Sequence, residues 1–142
     1  MQLTKNFDLS EFLTSSRFPE LIKDIHIADS YKWNLFKLCA IHLQNIRDFL
    51  KVPLCVTSGY RTPALNRALK GSNLSQHMFG EAADFVVSGQ LAMEDALAFI
   101  KHDLWPAVGD CIDYRDNSGN MLWIHISLPS PSCIQRFSTI HK

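Results

Sequence analysis

The chain has 142 residues, 46% of them apolar, and its 14 basic and 14 acidic side chains cancel to no formal net charge. That length suits a single domain, residues 1–142, with room for a sizeable core. The balanced charge argues against a broad electrostatic hold on nucleic acid or anionic lipid.

No apolar run approaches the roughly 18 residues a spanning helix needs, so no membrane insertion is expected. The start, Met1 to Asp8, lacks the apolar stretch of a secretory signal. Cytoplasmic synthesis is therefore the expectation. Apolar periodicity marks a core from about residue 7 to 128, and Pro129 and Pro131 open a tail, 129–142, expected to lie along the surface.

In chain order, residues 1–29 read as an irregular N-terminal region. Asp8 and Glu11 have the spacing of a capping box and can open a short helix there. Asp29 or Ser30 then caps a long helix, about 31–50. Trp33, Phe36, Ala40, Leu43, Ile46 and Leu50 recur at helical spacing as its inner stripe, and Pro53 ends it. Leu54 to Ser58 is a short strand closed by Gly59. Pro63 suits the first turn of a helix over 63–70, stopped by Gly71. Ala82 to Val87 is a second strand. Met93 to Lys101 is a helix with acidic residues in its first turn. Asp110 to Tyr114 and Met121 to Leu128 form two further strands around Asn117-Ser118-Gly119. Early helices followed by clustered strands indicate an α+β fold with a small antiparallel sheet. Cys39, Cys55, Cys111 and Cys133 form no Cys-x-x-Cys pair, and read as buried free thiols rather than zinc ligands.

Chemistry concentrates in Ser75-Gln-His-Met-Phe-Gly-Glu-Ala-Ala-Asp84 and Trp123-Ile-His-Ile-Ser127. Gly80 permits a turn between His77 and Asp84, and Ala82 and Ala83 allow close packing of the strand that follows. In the second segment His125 shares a strand face with Trp123 and Ser127. A histidine in an apolar strand is more often a hydrogen-bonded core residue than a ligand. Even so, two histidines and an aspartate make a three-donor set that suits zinc with an open fourth position. The same donor types also suit non-haem iron. Arg61, on the turn Ser58-Gly59-Tyr60-Arg61-Thr62-Pro63, stands at a strand end where it can meet an anion.

These stretches resemble the peptidase M15 family of zinc D-Ala-D-Ala carboxypeptidases and L-Ala-D-Glu endopeptidases. The resemblance rests on Ser58 to Asn66, Gly71 to His77, Gly80 to Asp84 and Trp123 to Ser127. Phe7-Asp8-Leu9-Ser10-Glu11-Phe12 is similar to the opening of the family's short, phage-associated branch. The resemblance spans roughly residues 7–127. It implies helices packed on a small antiparallel sheet, of the hedgehog and D-Ala-D-Ala-peptidase type. It implies Zn(2+) held by His77, Asp84 and His125, with Arg61 steadying a substrate carbonyl or carboxylate and Ser75 contacting substrate. The implied substrate is a peptidoglycan stem peptide, cut beside a D-residue by a monomeric enzyme. Release to the cell wall or carriage in a virion would bring the two together.

One position departs from the family. Many members carry a catalytic Glu three residues before the second histidine, and here that position is Leu122. The acids of the preceding strand, Asp110, Asp113 and Asp116, are the replacements to weigh. A three-residue loop with Gly119 in the left-handed position pairs Asp116 with Asn120, Asp113 with Trp123 and Cys111 with His125. That register puts Asp113 on the His125 face and nominates it as the general base. A two-residue loop would instead bring Asp110 opposite His125. A zinc-holding but catalytically silent module, of phage or prophage origin, is the alternative that Leu122 keeps open.

Overall fold

The structure, a computed structural model, describes residues 1–131, 133 and 136–142. A small hairpin of β1 (Gln2–Thr4) and β2 (Phe7–Asp8) begins the chain. The Asp8–Glu11 capping box follows as expected, Asp8 accepting from the Ser10 amide and Glu11 from the Asp8 amide.

One continuous helical rod then comprises α1 (Asp29–Leu38), a wider π turn (Cys39–Leu43) and α2 (Gln44–Leu50). Its buried stripe is Leu35, Leu38, Cys39, His42, Leu43 and Ile46. This corrects the expected stripe in its first half: Trp33 is 59% exposed and Phe36 also lies outside, the two rings stacked on each other. Both sets of positions satisfy the helical period, so periodicity alone does not choose between them. The packing against the sheet does. Lys51, in the left-handed conformation, stops the rod two residues before Pro53.

The main sheet holds five strands in the order β3 (Leu54–Ser58), β4 (Ala82–Val87), β6 (Met121–Ser127), β5 (Asp110–Arg115) and β7 (Arg136–His141). The first four are antiparallel neighbours, and β7 joins β5 in parallel, so the sheet is mixed. Part of the tail is thus an edge strand, exposed along its whole length. Ser132, Ile134 and Gln135 of that tail lie outside the described residues.

Strand alternation gives the sheet two faces. Ala83, Phe85, Val87, Ile124 and Ile126 point to the core, where α4 (Gln90–Phe99) packs on β4 and β6. Burying one such side chain fully is worth about 1.5–3 kcal/mol. Asp84, Trp123, His125 and Ser127 fall on the other face. The chain from Tyr60 to Phe79 covers that face with α3 (Pro63–Ala68) and a short 3-10 turn, Gln76–Phe79. Cys39, Cys111 and Cys133 are buried free thiols, while Cys55 is exposed on edge strand β3 and corrects the expectation for that residue. Among the described residues no helix is long and apolar enough to cross a membrane.

Candidate metal centre

Each of the three donors reaches the centre from a different local device. His77 sits in the 3-10 turn that Ser75 caps, its backbone N–H donating to Ser75 Oγ at 3.3 Å. Gly80 ends that turn at φ +72°, a conformation that L side chains rarely adopt, and a Cβ there would come within 2.6 Å of the Tyr31 carbonyl oxygen. The chain therefore leaves His77, turns at Gly80 and enters β4 two residues before Asp84. Asp84 and His125 are direct partners across β4 and β6. Cross-strand partners share a face, so two of the three donors are juxtaposed by register alone.

One ligand atom from each of His77, Asp84 and His125 lies within 4.8 Å of the others. Asp84 Oδ1 stands 2.8 Å from His125 Nδ1 and 3.4 Å from His77 Nε2. The Gly59 carbonyl accepts a hydrogen bond from His77 Nδ1 at 2.7 Å, which turns Nε2 toward the centre. A carbonyl behind a ring nitrogen is the usual support for a ligating histidine. His77 is 3% exposed and Asp84 8%. Burial alone would raise the Asp84 carboxyl. The His77 charge and hydrogen bonds from both histidines outweigh it and hold the carboxylate well below its ordinary range. Burial also lowers the His77 imidazole, against the pull of Asp84, and a metal takes the ring through its unprotonated nitrogen. Two imidazole nitrogens and one carboxylate oxygen, converging and with His77 braced from behind, fit a zinc ion.

Arg61 completes the cluster. Its guanidinium lies 3.6 Å from Asp84 Oδ2, and its other nitrogens donate to Ser58 Oγ at 3.2 Å and Asn66 Oδ1 at 3.4 Å. Burial lowers the basicity of Arg61 while Asp84 and Tyr114 favour its charge; the group remains a cation. Its backbone N–H donates to the His77 carbonyl at 3.0 Å, so the two motif segments are tied directly. Asn66 is buried and also donates to the Ser72 carbonyl. Sequence reasoning gave it no role, although its place in the same motif as Arg61 was visible.

Three cavities open onto this group. One of about 370 Å³ is lined by Arg61, Ser75, His77, Asp84, Trp123 and His125. A second, of about 380 Å³, runs past His125 to Ser75, Gln76, Asp110 and Arg136. A third, of about 180 Å³, extends from Asp84 and Arg61 to Ser15 and Arg17. Trp123 stacks on Tyr114, with ring centroids 4.4 Å apart.

The hairpin register is corrected by one position. The loop closes as expected, with the Asp116 amide donating to the Asn120 carbonyl and Arg115 opposite Met121. The next pair is Tyr114 with Trp123, so Leu122 is an extra, unpaired residue. This bulge moves every later pair: Asp113 stands opposite Ile124, and Ile112 opposite His125. Asp113 consequently lies on the core face, 2% exposed, bonded to Arg115 Nε at 2.7 Å and to the Thr139 hydroxyl at 3.0 Å. It does not join the site residues. By the same alternation Asp110 falls on the His125 face.

The family model for peptidase M15 matches residues 6–126. The chain belongs to the peptidase M15 family. No curated protein sequence matches it.

Proposed function

We propose that this protein is a zinc peptidase that hydrolyses peptidoglycan stem peptides beside a D-residue. The observation that carries the reading is the convergence of His77 Nε2, Asp84 Oδ1 and His125 Nδ1 beside a half-buried arginine, in a chain of the peptidase M15 family. His77, Asp84 and His125 would hold the ion. Zinc, when bound, polarises a carbonyl and makes water a nucleophile near neutral pH. The chain's own residues do the rest. Arg61 offers N–H donors and charge to a carbonyl oxygen that becomes negative, or to a carboxylate. Ser75 lines two of the cavities and can contact substrate through its hydroxyl. Trp123 and Tyr114 supply an apolar wall beside the donors. The test is a digest of muropeptides with zinc-loaded protein, followed by mass spectrometry. Release of a D-residue or of a split stem peptide is the expected result, and an unchanged muropeptide pool would overturn the reading.

A second reading draws on one observation. Leu122 occupies the position at which many members of the family carry a catalytic Glu, and is 39% exposed on a bulge. A zinc-holding, catalytically silent module of phage or prophage origin would look the same there. It would bind muropeptides without changing their mass.

A further inference from the structure

We propose that Asp110 is the proton carrier of the hydrolysis and that Arg136 is its positioning residue. The inference rests on the peptidase reading and supplies the group that Leu122 lacks. Besides Asp84, Asp110 is the one side-chain carboxylate among the described residues that lines any of the three cavities opening onto the His77–Asp84–His125 group. It shares the second cavity with His125, Ser75 and Gln76. The Leu122 bulge is what puts it there, because without that extra residue the alternation of β5 would turn Asp110 to the core face.

Asp110 is also held. Its backbone N–H donates to Ser127 Oγ at 2.8 Å, and Arg136 Nε donates to its Oδ1 at 3.0 Å. The Cys133 thiol lies within hydrogen-bond reach of the same carboxylate. Arg136 is the cross-strand partner of Asp110 at the start of β7, and lies beyond the span that the family model matches. So β7 brings this chain a second support for an acid on the site face. The Arg136 side chain is 65% exposed, which keeps the ion pair screened.

Water forms a C–O bond to the peptide carbonyl carbon while one of its protons passes to the Asp110 carboxylate. The C–N bond then breaks, and that proton goes to the departing amine nitrogen. One carboxylic acid and one amine result, and Asp110 returns to its ionised form.

The test uses the zinc-loaded full chain and compares Asp110→Asn, Asp110→Glu, Arg136→Met and Arg136→Lys. Three quantities are read: zinc per chain by elemental analysis, muropeptide affinity by calorimetry, and turnover. Asp110→Asn keeps an oxygen for Arg136, so zinc content and affinity are expected to hold while kcat falls about 10²-fold or more. Asp110→Glu should recover at least about tenfold over Asp110→Asn, because it restores a carboxylate on the same face. Arg136→Met should lower kcat by about tenfold at constant KM, and Arg136→Lys should restore most of it. Full turnover in Asp110→Asn, or equal losses in the Asn and Glu variants, overturns the inference and leaves the peptidase reading standing. Loss of zinc or of affinity together with turnover would make Asp110 structural, and overturns it too. A wild type that holds zinc and cleaves no muropeptide overturns the peptidase reading, and this inference falls with it.

Discussion

The Gly59 carbonyl decides which nitrogen of His77 faces the cleft, and Gly59 itself is a close-packing residue whose Cβ would come within 2.6 Å of Phe12. Support of this kind makes the three donors act as a set. Replacing His77, Asp84 or His125 with Ala is expected to abolish stoichiometric zinc in elemental analysis. The same change at His26, His102 or His141 should leave one zinc per chain. Retained zinc in the His125→Ala protein would show a different ligand set. Arg61 belongs to the same cluster without being a donor to metal. Arg61→Ala should keep zinc and reduce turnover by about 10²–10³-fold, the range for a lost electrostatic stabiliser. Steady-state kinetics on a muropeptide checks this, and undiminished activity would reduce Arg61 to a turn residue.

Among the elements, β5 joins the two faces of the sheet. Its site face carries Asp110, while its core face carries Asp113, which accepts from Thr139 of β7 and pairs with Arg115. Arg115 in turn reaches Glu94 of α4 at 2.6 Å. Glu94 and then Asp113 hold the Arg115 guanidinium above its ordinary value. Asp113 therefore fastens β7 and α4 to the sheet. Removing one partner of a buried pair leaves the other unsatisfied, at a cost of about 3–5 kcal/mol when both are deeply buried. Arg115 keeps Glu94, so Asp113→Ala is expected nearer about 2 kcal/mol. Urea unfolding measures the loss. Turnover of the protein that remains folded should be close to wild type, and a selective loss of turnover at full stability would restore Asp113 to the site.

At the scale of the whole molecule, the core encloses one group that can make it sensitive to acid. His42 is fully buried in the π turn of the helical rod, and neither ring nitrogen has a hydrogen-bond partner among the described residues. The Ala107 backbone lies close enough to favour the charged ring slightly, but burial dominates and pushes His42 down to about 4. Below the ordinary histidine value the unfolded chain takes up a proton that the folded chain refuses. Stability is then complete above about pH 6.5 and falls as pH drops toward 4, by on the order of 3 kcal/mol. Urea midpoints at pH 7 and pH 4.5 should differ less in His42→Leu than in wild type, and equal differences would remove His42 as the cause. The segments that bring His77, Asp84 and His125 together with Arg61, most strand positions and the capping box were legible in the sequence, because each is written in a short segment: a glycine turn, a two-residue alternation, a cap three residues from its partner. The bulge at Leu122, the face that Asp110 and Asp113 occupy, the buried stripe of the rod and the pairing of β7 were decided only in the tertiary structure. Register and packing compare segments far apart in the chain, and one unpaired residue in a strand exchanges every side chain beyond it between the core and the cleft.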